Sequence, residues 1–255
     1  MKAAPMDPLF DFTGQVVLIT GGSRGLGAAM ARAFAERGAD LIIASRKLDA
    51  CETLAAELRT NSRRALAVAA HCGRWADIDA LVETAYAEFG RVDILVNNAG
   101  MSPACPSHQV SEALFDSILN LNFKGPFRLA SQIAHRMSTG NDKAGGGAIL
   151  NISSVAATQA IPGVVPYGGA KAALESMTRG LAREYAPKVR VNAIAAGPFL
   201  TDIAQAWTPE ARQHQPVALA RPGLPHEIIT AALTLTSPAS TYTTGALLRV
   251  DGGPR

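Results

Sequence analysis

Gln15-Val16-Val17-Leu18-Ile19-Thr20-Gly21-Gly22-Ser23-Arg24-Gly25-Leu26-Gly27 is the stretch from which the rest of the chain can be read. Val16 to Ile19 is a short continuous apolar run, the pattern of a strand buried on both faces of a parallel sheet. Thr20 to Gly27 is a glycine-rich turn, and Ala28 to Arg37 predicts a helix, with Ala29, Ala33 and Phe34 near helical spacing. Strand, glycine turn and helix together form the phosphate-binding corner of a βαβ unit. Glycines let the backbone approach a pyrophosphate, and the helix start offers free N–H groups and a positive dipole end. The Gly21, Gly25, Gly27 spacing carries one residue more than G-x-G-x-x-G. Glycine clusters also mark ordinary turns, so the flanking strand and helix carry the reading.

Working outward, strands and helices alternate. Strands are predicted over Ala39–Ala44, Ala65–Ala70, Ile94–Val96, Ala148–Ile152, Val189–Ile194 and Leu247–Val250. Helices are predicted over Leu48–Arg59, Asp77–Phe89, Ser111–Met137, Tyr167–Tyr185 and Pro225–Leu235. The expectation is one α/β domain over residues 1–255, a doubly wound Rossmann-type sheet of seven parallel strands flanked by helices on both faces. Residues 1–13 read as a loose lead-in and Ser138 to Gly147 as a flexible surface connection. The Ser111–Met137 helix holds a conflict: Asn122 in its middle competes for backbone bonds, and Gly125-Pro126 follow within a turn. A kink or a functional site is expected there.

The chain has 255 residues, of which 48% are hydrophobic and only 5% aromatic, with a net charge of +3. That charge is too mild and scattered for a nucleic-acid surface. No apolar run reaches the ~20 residues of a membrane span, and the N-terminus lacks a signal-peptide pattern. Cys51, Cys72 and Cys105 form no C-x-x-C pair, and the five histidines show no metal-ligand spacing. The expectation is a cytoplasmic protein without a metal, a nucleic-acid partner or a membrane partner.

The end of the second strand bears on the cofactor. A dinucleotide fold that takes NAD usually places Asp or Glu about 20 residues past the glycine turn, on the ribose 2′-hydroxyl. Here Ser45 stands there, followed by Arg46 and Lys47. A hydroxyl beside a guanidinium attracts a 2′-phosphate that a carboxylate would repel, and Arg24 can close on the same group. The alternative is that both arginines are solvated loop charges. His71-Cys72 ends the third strand, where a polar side chain can touch an adenine edge or simply be a satisfied strand-end histidine. Asn97-Asn98-Ala99-Gly100 closes the fourth strand with small polar residues that let backbone run against a cofactor or a neighbouring strand.

Tyr167 and Lys171 are four apart and share a helix face. An ammonium near a phenol stabilises the phenolate, so the pair can make a tuned proton donor. Ser154 lies thirteen residues earlier at a strand end, where its hydroxyl can hold a carbonyl oxygen or merely close a turn. No G-x-S-x-G elbow surrounds it, which speaks against a serine nucleophile.

From about Val16 to Gly253 the chain resembles the short-chain dehydrogenase/reductase family. The resemblance rests on Thr20-Gly21, Gly25-Leu26-Gly27, Asn97-Asn98-Ala99-Gly100, Asn122, Ser154, Tyr167, Lys171 and Gly197-Pro198 with Thr201. It implies hydride transfer between a nicotinamide and an alcohol or carbonyl. It makes Tyr167 the acid/base and Ser154 the holder of the substrate oxygen. Lys171 would bind the nicotinamide ribose and lower the tyrosine pKa, and Asn122 would hold a water in a proton relay. It implies a cofactor site built from Gly21, Ser23, Arg24, Gly25, Leu26, Gly27, Ser45, Arg46, His71, Cys72, Asn98, Ala99, Gly100, Tyr167, Lys171, Gly197, Phe199 and Thr201. It also implies a homotetramer. The sequence departs from the common pattern at His71, where aspartate often stands, at Ala196, usually proline, and at Gly168, often serine.

The resulting expectation is an NADP-preferring reductase of a medium-sized apolar ketone or a 3-oxoacyl thioester. Its substrate wall would come from Met101–His108, Ala156–Val165 and Phe199–Trp207, under a lid of residues 199–222. The alternatives are a sugar or polyol dehydrogenase on the same scaffold and a non-catalytic NADP(H)-binding regulatory protein.

Overall fold

The computed structural model describes residues 7–59, 63–139 and 146–253. The start of the predicted lead-in and most of the predicted connection at 138–147 lie outside the described residues. Seven strands form one sheet: β1 (Val16–Thr20), β2 (Asp40–Ser45), β3 (Ala65–Ala69), β4 (Ile94–Asn97), β5 (Gly147–Ser154), β6 (Val189–Ala196) and β7 (Leu247–Val250). Their order is β3-β2-β1-β4-β5-β6-β7, and every neighbouring pair is parallel. The order reverses between β1 and β4, which opens a crevice beyond their carboxyl ends.

The helices are α1 (Gly25–Glu36), α2 (Leu48–Arg59), α3 (Trp75–Phe89), α4 (Glu112–Leu119), α5 (Gly125–Thr139), α6 (Val165–Glu184), α7 (Pro209–Gln213) and α8 (Ile229–Thr236). Strand residues alternate between two apolar clusters. Val17 and Ile19 join α1, α2 and α8 on one face. Val16 and Leu18 join α3, α5 and α6 on the other. Burial on both faces is why β1 reads as an unbroken apolar run. Each fully buried Val, Leu or Ile contributes roughly 1.5–3 kcal/mol. No helix among the described residues is long and apolar enough to cross a membrane.

Two boundaries differ from the sequence expectation in ways that matter. α1 starts at Gly25, so two of the three motif glycines lie inside its first turn. The single helix expected over Ser111–Met137 is interrupted: Ser111 caps α4 by accepting Leu114 N–H, then Asn120–Lys124 form a π-helical turn before α5. The conflict at Asn122 and Gly125-Pro126 is therefore expressed as a π turn, which widens the helix by one residue.

Candidate active site

The glycine turn is held against the end of β4 by side chains of both strands. Thr20 Oγ1 accepts the N–H groups of Asn98 and Ala99 at 3.0 and 3.1 Å. Asn98 Nδ2 donates to the carbonyls of Thr20 and Gly21 at 3.0 and 3.1 Å. The packing leaves no room for side chains. A Cβ on Gly27 would lie 2.3 Å from Gly21 O, and one on Gly21 would lie 3.0 Å from Ala99 Cα. Gly21 has a φ of +61°, which glycine adopts without strain. This bare backbone at the start of a helix is a cradle of the kind a pyrophosphate fits. The Leu26 side chain is half-buried and packs on the core cluster.

Beside the cradle, Ser23 Oγ meets Ser45 Oγ at 3.1 Å, and Ser45 Oγ also lies 3.0 Å from Cys51 Sγ. Arg46 is exposed and in no ion pair among the described residues. Arg24 is turned to another partner: its Nη1 lies 2.6 Å from Asp202 Oδ2, far along the chain. At the end of β3, His71 Nδ1 accepts Gly73 N–H at 3.2 Å, and Asp77 accepts His71 N–H at 2.9 Å. Cys72 is buried, and burial pushes its thiol up to about 12, so it stays a neutral thiol. Its carbonyl abuts Gly125, where a Cβ would come within 1.7 Å.

The end of β5 is bound to α6 at two consecutive residues, Ile152 and Ser153, and Ser154 follows them. Ile152 O accepts from Lys171 Nζ at 2.8 Å. Ser153 Oγ donates to Glu175 Oε1 at 2.8 Å. Ser154 stands near enough to Tyr167 for its hydroxyl to favour the phenolate, and its Oγ accepts Ala156 N–H at 3.2 Å. Gly168 brings α6 close to this turn, because a Cβ there would lie 2.7 Å from Ala156 O. Lys171 is 4% exposed and its Nζ lies 5.6 Å from the Tyr167 ring centre.

The electrostatics differ from the expectation that Lys171 lowers the tyrosine pKa. Burial raises the Tyr167 phenol above its usual range, and the Ser154 hydroxyl only partly offsets this. Burial also drags Lys171 down to about 8. With its ammonium bonded to Ile152 O and facing the ring, Lys171 does not outweigh the desolvation of the phenol.

Asn122 is fully buried in the π turn. Its Nδ2 donates to Ile118 O and Met101 O at 3.0 and 2.9 Å, which ties the widened helix to the loop after β4. Gly100 lies between Asn122 and Lys171: a Cβ there would sit 2.8 Å from Asn122 Oδ1 and 3.6 Å from Lys171 Nζ. The residues singled out in sequence thus come together in two linked groups. Asn122, Gly100, Lys171, Tyr167 and Ser154 make one; Asn98, Ala99, the glycine turn and Ser45 make the other. Cys72 O lies against Gly125 at the end of the π turn, and Gly73, two residues after His71, lies near Leu121 within it.

After β6, Gly197 packs on the end of β7, since a Cβ would lie 2.6 Å from Asp251 Cα. Phe199 is buried and bridges Gly223, and Leu200 N–H donates to Gly223 O at 2.8 Å. Residues 199–222 therefore leave and return at one pinned base. They include a 3₁₀ turn at Asp202–Ala206 and α7. The Thr201 side chain lies against Gly25, 3.4 Å from where a Cβ would sit.

Sequence reasoning passed over the polar groups behind the site. Asn97 Nδ2 donates to Asn151 Oδ1, and Asn151 Nδ2 to Thr178 Oγ1, each at 2.9 Å. The available signal was an amide inside an apolar strand: Asn151 stands between Leu150 and Ile152, where burial without a partner costs several kcal/mol, on the order of 2–7. Glu175, four residues after Lys171, carried no such signal.

The family model for short chain dehydrogenase matches residues 15–212. The D-threitol dehydrogenase of Mycolicibacterium smegmatis is 36% identical over 250 residues, covering 96% of this chain and 95% of that protein. The crystal structure of the 3-ketoacyl-(acyl-carrier-protein) reductase of Brucella melitensis, complexed with NADH, superposes with a TM-score of 0.88 at 34% identity, covering 95% of this chain and 99% of that one. A blue fluorescent protein from a metagenomic library, in complex with NADPH, gives 0.88 and 34%, over 95% and 98%. The crevice at the strand-order reversal, the side-chain-free cradle and the full-length likeness lead to one assignment: the chain belongs to the short-chain dehydrogenase/reductase family of nicotinamide-dependent oxidoreductases acting on CH–OH and carbonyl groups.

Proposed function

We propose that the protein is an NADP(H)-preferring carbonyl reductase. The observation that carries the proposal is the meeting of Tyr167, Ser154 and Lys171 at the end of β5, across Gly100 from Asn122 and beside the glycine cradle. In this reading Ser154 donates a hydrogen bond to the substrate oxygen, and Tyr167 gives that oxygen a proton as it gains charge. A phenol held protonated by burial is suited to this reductive direction. Lys171 would hold the nicotinamide ribose, and its charge would support the phenolate left after proton transfer. Asn122 keeps the loop at Met101 and the π turn in place, and would hold the water that relays the proton.

The cradle fits a dinucleotide, because at Gly21 and Gly27 a side chain would meet backbone. The cofactor supplies the hydride. Gly21, Ser23, Gly25 and Gly27 would hold the pyrophosphate, and Asn98, Ala99 and Gly100 the adjoining riboses. His71 and Cys72 would border the adenine. Gly197, Phe199 and Thr201 would hold the nicotinamide end. Ser45, Arg46 and Arg24 would hold a 2′-phosphate. The relatives leave this choice open, since one structure carries NADH and another NADPH.

The proposed substrate wall is largely apolar in sequence. Ile161 and Val165 are exposed, and Cys105 N–H donates to Gly163 O at 2.8 Å, joining two of the wall segments. A medium-sized ketone or a 3-oxoacyl thioester suits this wall, in line with the 3-ketoacyl reductase likeness. The D-threitol dehydrogenase likeness favours a second reading, oxidation of a polyol by the same residues run in reverse. We further read residues 1–255 as one unit with 199–222 as its lid, assembled as a homotetramer.

The test is a panel of ketones, 3-oxoacyl thioesters and sugars followed by loss of NADPH absorbance. Turnover of apolar carbonyls above sugars supports the reading. Turnover confined to polyols with NAD would replace it by the second. Tight NADPH binding with no turnover across the panel would point to a regulatory protein instead.

A further inference from the structure

Two groups compete for Arg24. Its neighbour Ser23 touches Ser45, so the guanidinium springs from the corner read above as the 2′-phosphate site. Its Nη1 nevertheless lies 2.6 Å from the carboxylate of Asp202. Asp202 opens the lid's first turn, directly after Thr201, whose side chain lies against Gly25. The glycine turn and the lid base thus meet through one apolar touch and one ion pair. A phosphate dianion drawing on the same guanidinium would stand close to that carboxylate, and like charges at such range repel.

We propose that Asp202 is a specificity-determining residue for the cofactor. It holds Arg24 on the lid, so a 2′-phosphate must take the guanidinium from the carboxylate. A cofactor with a free 2′-hydroxyl leaves the pair intact. Asp202 therefore narrows the preference for NADPH over NADH that Arg24 and Arg46 create, and binding of the 2′-phosphate releases the lid base from the glycine turn. The inference rests on reading Arg24 as a 2′-phosphate ligand. Both partners are substantially exposed, at 68% and 44%. A pair of this kind sets a ceiling of about fivefold in affinity, equivalent to ~1 kcal/mol.

The test is the Kd of NADPH and of NADH, read by quenching of protein fluorescence in the parent, Asp202→Asn, Arg24→Ala and the double variant. Asp202→Asn is expected to tighten NADPH about three- to fivefold and leave NADH within about twofold. Arg24→Ala is expected to weaken NADPH about tenfold, and in that background Asp202→Asn loses most of its effect. If Asp202→Asn weakens both cofactors alike, the pair is a strap that stays closed over either, and the proposal is wrong. It is also wrong if Arg24→Ala lowers the NADPH preference while Asp202→Asn leaves it unchanged. If Arg24→Ala itself leaves the preference unchanged, the reading of Arg24 falls and the inference falls with it.

Discussion

The end of β5 and the base of the lid, which follows the neighbouring strand β6, are built differently. At β5, Ile152 and Ser153 are tied to α6 through the buried Lys171 and Glu175. At the lid base, the tie to the glycine turn is an exposed ion pair and a van der Waals contact. Breaking a buried hydrogen-bonded group costs about 1–3 kcal/mol, more when a charge is involved. An exposed pair costs about 1 kcal/mol or less. Proton transfer needs atoms fixed to a few tenths of an ångström, and the buried side is built for that. Cofactor choice needs only a modest difference in binding, and exposed charges can supply and adjust it.

The largest effect that sharpens this contrast is expected from Lys171→Met, with a loss of about 10²–10⁴ in turnover. The pH dependence identifies the group. Lys171 loses its proton as pH rises through about 8, so carbonyl reduction by the parent should fall above that pH, and the residual activity of Lys171→Met should show no such limb. The stability sign is opposite. The folded pKa of about 8 lies below the unfolded value of 10.5, so between the two the unfolded chain binds more protons. Parent stability, measured against Lys171→Met, should therefore rise from pH 8 to 10.5. A flat difference across that window would show that Lys171 is not desolvated as described.

Next in size is Gly125→Ala, behind the buried side. Its Cβ would fall 1.7 Å from Cys72 O, so backbone must move. Overpacking of this severity should cost about 3 kcal/mol or more, a fall of about 6–12 °C in Tm. A Tm within about 2 °C of the parent would mean that the π turn can yield.

At the cofactor corner, Ser45→Asp, at a half-buried residue, should move the ratio of kcat/KM for NADPH over NADH by about ten- to a hundredfold toward NADH. Arg46→Ala should lower NADPH affinity by up to about tenfold and leave NADH little changed. Arg46→Ala, at an exposed residue, should leave Tm nearly unchanged. If either lowered kcat with both cofactors alike, the separation of chemistry from cofactor choice would fail.

The buried architecture was legible because it is written in local patterns. An unbroken apolar run, a glycine turn and an apolar helix face specify β1 and α1 within a short window. The misfit of Asn122 with its helix signalled a break, and the π turn is that break. The amide of Asn151 inside an apolar strand was legible too and was passed over. The pairing of Arg24 with Asp202 was not legible, because no periodicity relates residues so far apart in the chain. Nor was the direction of the Tyr167 shift. The tyrosine–lysine spacing announces a charge near the phenol, whereas desolvation depends on what packs over the ring from β5 and the loops. Gly168 falls between the two: the absence of a side chain is visible, but the nearby Ala156 carbonyl is not.

The central claim is that Tyr167 gives the proton while other groups bind the cofactor. Its most direct measurement is Tyr167→Phe, with NADPH affinity read by fluorescence and the reduction of a working ketone followed in a single turnover. The account predicts a Kd within about twofold of the parent and a rate lower by about 10²–10⁴. A rate within about tenfold of the parent, at unchanged Kd, would contradict it.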